Sequence, residues 1–581
     1  MLRKVSRKNI GTKSRVKIDW YSPIYNMHMY WTKQKPEVVA EFIERHCRPG
    51  GTVLDAFCGS GMTGVAAMLT GRNAVLSDLS PVCEFMAKNF TTVCDLNRLR
   101  KTFSEITDAL DADLSWLYAT SCNQCDNHEA KVHAVIWADD FSCPSCGHTQ
   151  NLCDGDEQLS IKKGETVDSI KCKKCKTSYE KAMKFFSASK PVLVEVECDK
   201  CDHHGKDNCR RVNDADLKWI RRIDRHSVEG KYPKDFSFPM GINTKRCLLR
   251  GIKKPYQLFS KMNLIYLAEY WTAIDQRFAA KKIDGTVRDK LRFAATSAMF
   301  HGSLMRRWLP YRGGVPLKGT LFVPSMSEDI RFEKVLRYQA NRVFKGQEAI
   351  NSIEQRATTT VRCASALDLS WVKDGSIDYV FYDPPFGGHI NYSELNLVWE
   401  AWLRDTTDTT DEVIVNRHQG KDLDRYTAML KKSLEIASKK LKRGGKFTVI
   451  FAHSDLKTWR SLQESVAGLP LKILGAPVAL DSANKTFIQV YSSKAQQSMI
   501  AFTFQKADTT NDKLSSDFKL AAKREISELL KRSPSGMSRD VLYDHVIQRL
   551  FDKSYFEEID FDSLLSKNFK RSGDQWLRPS A

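Results

Sequence analysis

Asp383-Pro384-Pro385-Phe386 follows directly on the apolar run 377–382. A carboxylate at the C-terminal end of a strand stands on the ligand side of an α/β sheet. Two prolines stiffen the loop behind it and, lacking N–H groups, leave a backbone carbonyl facing the site. An aromatic ring three residues after the acid can stack on another planar ring. Asp383 and the Pro384 carbonyl therefore offer two acceptors to an exocyclic amine, with Pro385 fixing the turn and Phe386 lying against the ring that carries the amine.

A second constellation lies near the start of the chain. Asp55-Ala-Phe57-Cys58-Gly59-Ser-Gly61 follows a short apolar run and opens a helical pattern. Glycines there let the backbone pass close to a ligand, and a helix N-terminus offers free N–H groups. Asp78 lies about 20 residues further on, at the end of the next apolar run, where an acid can take both hydroxyls of a ribose. The turn lacks the Lys-Ser/Thr ending of a P-loop, which disfavours a nucleoside triphosphate.

Eight cysteines form a third set. Cys122-x-x-Cys125 with Cys143-x-x-Cys146 has the spacing of a zinc ribbon, and Cys172-x-x-Cys175 with Cys198-x-x-Cys201 repeats it. Each quartet supplies thiolates for one tetrahedral ion, so two structural zinc ions are expected, although the spacing leaves the pairing of the four knuckles open. His128, His133, His148, His203 and His204 read as surface histidines, and Cys153 and Cys209 are spare.

The elements that must position these groups alternate helix and strand. Strands are expected at 52–57, 73–77, 378–382, 446–452, 471–474, 486–491 and 498–504, with helices at 62–69, 429–441 and 456–466. Such a pattern builds a parallel α/β sheet. It is broken from about 118 to 210 by short polar strands and cysteine pairs, and 255–355 reads as mostly helical. The expected divisions are 1–115 (cofactor half of the sheet), 116–215 (zinc-ribbon insert), 216–355 (helical recognition region), 356–508 (proline-loop half) and 509–581 (a small, mainly helical, winged-helix-like tail).

Composition bounds the partners. Lys and Arg total 90 against 70 Asp and Glu, a net charge of +20, and residues 161–260 alone carry 24 basic against 13 acidic side chains. Seven basic residues from Arg3 to Lys17 precede the first acid, Asp19. That balance predicts attraction to a polyanion, nucleic acid first. No run approaches the roughly 18 apolar residues a membrane helix needs, and the N-terminus lacks the apolar core of a signal peptide, so a cytoplasmic protein with no membrane partner is expected.

DAFCGSG together with DPPF resembles the S-adenosylmethionine-dependent amino-group DNA methyltransferases, and is most similar to the adenine-specific DNA methylases that carry a zinc ribbon. Tyr392-Ser393-Glu394-Leu395, Trp399 and Pro316-Leu-Lys-Gly-Thr320 share in the likeness, as does the stretch from Pro23 through Tyr25, His28 and Trp31 to Lys35-Pro36. The resemblance implies that Tyr25, His28, Lys35, Asp55, Phe57, Cys58, Gly59 and Gly61 surround S-adenosylmethionine, that Asp78 holds its ribose, and that Asp383 through Phe386 hold the target base. Ser365 stands where such folds often place an acid against the cofactor's adenine, and Asp368 is the nearest carboxylate. Asp at the head of the proline loop favours adenine over cytosine N4, again by resemblance. A cytosine C5 enzyme needs a Pro-Cys nucleophile, and the chain has no such dipeptide.

The expectation is a DNA methyltransferase that flips adenine out of duplex DNA and methylates its N6 directly. The alternatives are a cytosine N4 or RNA exocyclic-nitrogen methyltransferase and, in another class, an inactive zinc-ribbon adaptor that binds nucleic acid. A restriction or phage-defence protein is the partner considered.

Overall fold

Thr52–Asp55 is an apolar strand whose last three residues are fully covered, and such strands pair on both sides in a parallel sheet. In the computed structural model it does so, against Asn73–Asp78 on one side and Ile377–Tyr382 on the other, both parallel. The structure describes residues 22–578 apart from 126, 154–158, 161–164, 167–168, 202–203, 310–313, 355–356, 482–497 and 509–516. Expectations for the basic N-terminal run, His203 and the strand at 486–491 lie outside the described residues.

Eight strands form the main sheet among the described residues. Thr359–Cys363 flanks Asn73–Asp78, Leu441–Phe451 flanks Ile377–Tyr382, and Ser498–Lys506 runs antiparallel beyond it. Leu471–Ile473 and Val478–Asp481 complete the edge against Ser498–Lys506. The helices Met62–Leu69 and Leu456–Val466 fall where the periodicity placed them. From Thr52–Asp55 the chain moves outward on one side to Asn73–Asp78, and only after the long excursion returns on the other at Ile377–Tyr382. The sheet therefore changes direction beside Asp55, which is where open α/β sheets bind ligands.

The excursion is itself a second body built on a six-stranded sheet. Ala130–Ser142 pairs antiparallel with Phe186–Glu197 on one side and with Met326–Ile330 on the other. That last strand lies within 255–355, which is otherwise mostly helical as its periodicity predicts. Its Ser327, Glu328 and Asp329 are buried because each finds a partner: Glu328 takes Arg306 at 2.6 Å, and Asp329 takes Asn263 at 2.9 Å. Helices Leu96–Asp113, Lys261–Ala279, Gly285–Met299 and Phe332–Asn351 pack around it in one apolar core that reaches the helix Tyr392–Leu403 of the main sheet.

The C-terminal residues form helices Phe518–Lys531, Arg539–Leu550 and Phe561–Asn568 with a three-stranded sheet. Phe551 packs on Phe502 of the main sheet at 4.1 Å between ring centroids, so this unit shares the sheet's core.

Candidate active site and cysteine quartets

Three neighbouring parallel strands each deliver an acid to the same edge. Asp55 ends Thr52–Asp55, Asp78 ends Asn73–Asp78, and Asp383 follows Ile377–Tyr382. All three line one open cavity of about 890 Å³, together with Phe57, Cys58, Gly59, Pro385 and Tyr392.

The glycine turn is built from the acids inward. Asp55 accepts the Thr63 hydroxyl at 2.6 Å and the Phe57 N–H at 3.0 Å, which ties the strand's end to the start of the helix Met62–Leu69. Asp78 accepts the Gly59 N–H at 2.9 Å and the Ser80 N–H at 3.0 Å, one on each oxygen. Each of its oxygens keeps a further lone pair for a ligand hydroxyl. Gly59 has φ +49°, and a Cβ there would sit 3.0 Å from the Tyr30 ring. At Gly61, φ +85°, a Cβ would meet the Ala87 Cβ at 2.5 Å. Gly61 does not line the cavity; it lets the helix Met62–Leu69 lie against Pro81–Thr91.

Burial sets the charge state of these acids. It pushes Asp55 up to about 8, with the nearby Asp383 and Asp78 charges adding to it. Asp78 is raised as well, burial again outweighing its two backbone donors. Asp383 is pushed up to about 7 by burial, opposed by one hydrogen bond from Gln34. A buried carboxylate with so few donors favours its neutral form until a ligand supplies more.

Gln34 is that donor: its Nε2 lies 2.9 Å from Asp383 Oδ2. No motif pointed to Gln34, which sits between two lysines in the stretch 32–35. The proline loop itself is pinned from behind. Tyr426 donates its hydroxyl to the Pro385 carbonyl at 2.7 Å, and Val415 N–H donates to the Gly387 carbonyl at 3.3 Å. Phe386 is half-buried, its ring 5.3 Å from that of Phe451. Neither Pro384 nor Phe386 is among the residues that line the cavity.

The upstream stretch is placed differently from the residues singled out in it. Tyr30, Thr32, Lys33 and Gln34 line the cavity, whereas Tyr25, His28 and Lys35 do not. His28 is buried behind the wall, its Nε2 3.1 Å from Thr296 Oγ1 and its ring against Phe293 and Trp399. Burial lowers it to about 3, so it stays neutral. Tyr25 donates to the Lys33 carbonyl at 3.2 Å, and the Lys33 ammonium stands 4.1 Å above the Tyr25 ring. These residues shape the wall and Tyr30 forms its surface. Tyr30 stacks near-parallel to Tyr392, 6.1 Å between centroids. On the far side Ala366 lines the cavity, while Ser365 and Asp368 spend their side chains capping Leu367 and Ser370. Asp368 thus offers no acid to the cavity.

The cysteines form two quartets, and the order is nested. Cys122 and Cys125 meet Cys198 and Cys201, enclosing Cys143, Cys146, Cys172 and Cys175. This corrects the grouping by sequence order. In the outer quartet Cys122 Sγ lies 3.7 Å from Cys201 Sγ, and Cys125 Sγ 3.6 Å from Cys198 Sγ. In the inner quartet both such distances are 3.6 Å. Zinc–sulfur bonds of about 2.3 Å in a tetrahedron put sulfurs about 3.8 Å apart, so both donor sets fit zinc. Asn127 and Asn208 donate to Cys198 and Cys122 at 3.2 and 3.3 Å, the kind of outer contact that steadies a thiolate. No described histidine joins either quartet; His133 instead meets Glu197 at 2.8 Å.

Residues 4–89 match the DNA methylase family model, which groups N6 and N4 enzymes. The chain is 30% identical over 107 residues to the Type II methyltransferase M.MjaII of Methanocaldococcus jannaschii, a match over 16% of this chain and 20% of that protein. The chain therefore spans about a fifth of the length of this curated relative. Among solved structures, a methyltransferase homologue from Pyrococcus horikoshii aligns over 30% of this chain and 57% of its own at 11% identity, with a TM-score of 0.16, too low to support an argument.

Proposed function

We infer, from a chain whose first strand–turn–helix matches the DNA methylases, that the acidic cavity methylates an exocyclic amino group of a base in DNA, adenine N6 being the preferred target. The observation that carries this reading is the convergence of Asp55, Asp78 and Asp383 at three adjacent strand ends around one cavity, with a stiffened proline loop at the third. The glycine turn from Phe57 to Gly59 and the Asp78 carboxylate would hold S-adenosylmethionine, with Tyr30 covering the turn. When bound, that molecule supplies an activated methyl group.

The protein's own part is placement and charge. An exocyclic amine is a poor nucleophile because its lone pair is conjugated into the ring. Accepting one N–H at Asp383 and the other at the Pro384 carbonyl would aim the lone pair outward and offset positive charge building on nitrogen. Asp383 must be ionised to do this fully, and the incoming N–H donors would favour that form. The target base would leave the duplex stack to reach the loop, where Phe386, set back from the cavity wall, would need to turn towards it to stack. The cysteine quartets, filled by two zinc ions, would hold the insert that meets DNA. An Asp at the loop's head favours adenine by resemblance.

Tritiated-methyl transfer to duplex DNA, tRNA and ribosomal RNA, followed by nucleoside analysis, tests this reading. Label in DNA as N6-methyladenine is expected. N4-methylcytosine would keep the reaction and change the base, and label confined to RNA would overturn the substrate.

A further inference from the structure

The helix Asp214–Arg225 divides its side chains sharply. Trp219, Ile220 and Ile223 face inward, around a hollow shared with Trp137 and with Lys261 at the start of the next long helix, and the exposed Asp224 stands at its rim. Lys218, Arg221, Arg222 and Arg225 occupy the other face and are all exposed. Their spacing of i, i+3, i+4 and i+7 brings them to one side of a helix.

Several buried or half-buried cations elsewhere in the insert are held by carboxylates. Arg250 is held by Asp139, Arg306 by Glu328, and Arg331 and Lys334 by Glu197. Among the described residues, none of the four on this face has such a partner. Arg222 lies over the Trp116 ring at 5.2 Å, which orients the guanidinium without neutralising it.

The helix is also firmly mounted. Asn213 and Asp216 form a reciprocal cap at its start, and buried Asp216 grips Arg210 of the strand His204–Arg211 at 2.9 Å. That strand follows closely on Cys201 of the outer quartet. A fixed row of unneutralised cations gives this face a positive potential suited to a polyanion.

We propose that this face is the surface by which the insert grips the phosphate backbone of duplex DNA, an inference that rests on the proposed function. From Lys218 to Arg225 the helix rises about 10 Å, which spans about three nucleotide steps of one strand. Four cations so spaced contact up to four phosphates and carry no sequence preference.

The test uses the full zinc-loaded chain with Lys218→Ala, Arg221→Ala, Arg222→Ala and Arg225→Ala combined. Duplex binding is followed by fluorescence anisotropy between about 50 and 200 mM salt. The slope of log affinity against log salt should fall in magnitude by about 3 to 4, at about 0.9 per phosphate contact. Zinc content and S-adenosylmethionine binding should stay as in the wild type, which shows that the variant folds. Replacing the three arginines by lysine should preserve the slope. Removing Lys519, Lys523 and Arg524, exposed on the C-terminal helix, should leave it unchanged. An unchanged slope in the fourfold variant, or an equal fall in the C-terminal one, overturns the proposal. Tighter binding of tRNA than of duplex by the wild type overturns the partner. A wild type that binds duplex through this face yet labels no DNA would sink the proposed function and leave this surface standing.

Discussion

Beneath the acidic cavity, the strands Ile377–Tyr382 and Leu441–Phe451 feed an apolar cluster that runs from Leu54 through Trp459 to the C-terminal helices. Among the described residues, the buried apolar cluster around each cysteine quartet has six members, cysteines among them. One region is held by burial of large side chains, the other by side chains that converge on a point. The difference teaches where each should fail: the first degrades gradually with lost packing, the second abruptly with lost ligands.

Metal removal should therefore have the largest effect. Native mass spectrometry is expected to find about two zinc ions per chain, and chelation should unfold the insert while the main sheet keeps its circular dichroism and binds S-adenosylmethionine. Zinc sites of this class contribute roughly 10–16 kcal/mol to folding in small domains. Cys198→Ser, which breaks the outer quartet, should abolish DNA binding, and Cys172→Ser in the inner one should weaken it less. Equal effects would erase the distinction between the two sites.

Asp383→Ala comes next. It removes one acceptor and its charge from the cavity, which should slow methyl transfer by at least roughly 10²-fold. Cofactor affinity, measured by calorimetry, should hold because the glycine turn is untouched. A normal rate would mean that the proline loop is not the active site.

Asp78→Ala should weaken S-adenosylmethionine binding by about 1–3 kcal/mol, through loss of charge-assisted hydrogen bonds. It also frees the Gly59 and Ser80 N–H groups, so part of the cost comes from a loosened turn. Unchanged affinity would place the ribose elsewhere.

The smallest effect is that of pH. Asp383, raised to about 7 in the folded chain, keeps its proton where an unfolded Asp has lost it. Its contribution to stability is therefore greatest below the ordinary carboxylate range and declines as pH rises towards about 7. Asp55, raised to about 8, extends that decline. Activity should run the other way, kcat/KM climbing as Asp383 ionises near pH 7. Asp383→Asn should flatten both profiles, and a profile unaltered by that change would assign the ionisation to another group.

The sheet around the cavity was legible because its signals are local. Gly59, Gly61 and the Asp-Pro-Pro-Phe loop sit within a few residues of the strands they terminate, and helices such as Met62–Leu69 follow their own apolar spacing. Non-local facts were not legible. Four Cys-x-x-Cys knuckles are chemically alike, so their partners depend on the pairing of Ala130–Ser142 with Phe186–Glu197, residues far apart in sequence. Met326–Ile330 hides as a strand because partners distant in sequence satisfy its polar side chains, Arg306 by an ion pair to Glu328 and Asn263 by a hydrogen bond to Asp329. Tyr25, His28 and Lys35 share a stretch with Tyr30 and Gln34, which reach the cavity instead, since only the fold decides which residues of that wall face inward.

Nesting of the quartets has a consequence for how this chain could be cut and rejoined. Phe141 stands opposite Phe186 in the antiparallel pair, so the two strands meet like the arms of a hairpin whose tip is occupied by the inner quartet. Residues 143–185 are thus a cassette within a cassette, entering and leaving at adjacent points. A tight turn spliced across that tip would preserve the register of both strands and leave the outer quartet intact. A chain lacking the inner ribbon would differ from this one by a single excision, with no refolding of the sheet that bears it.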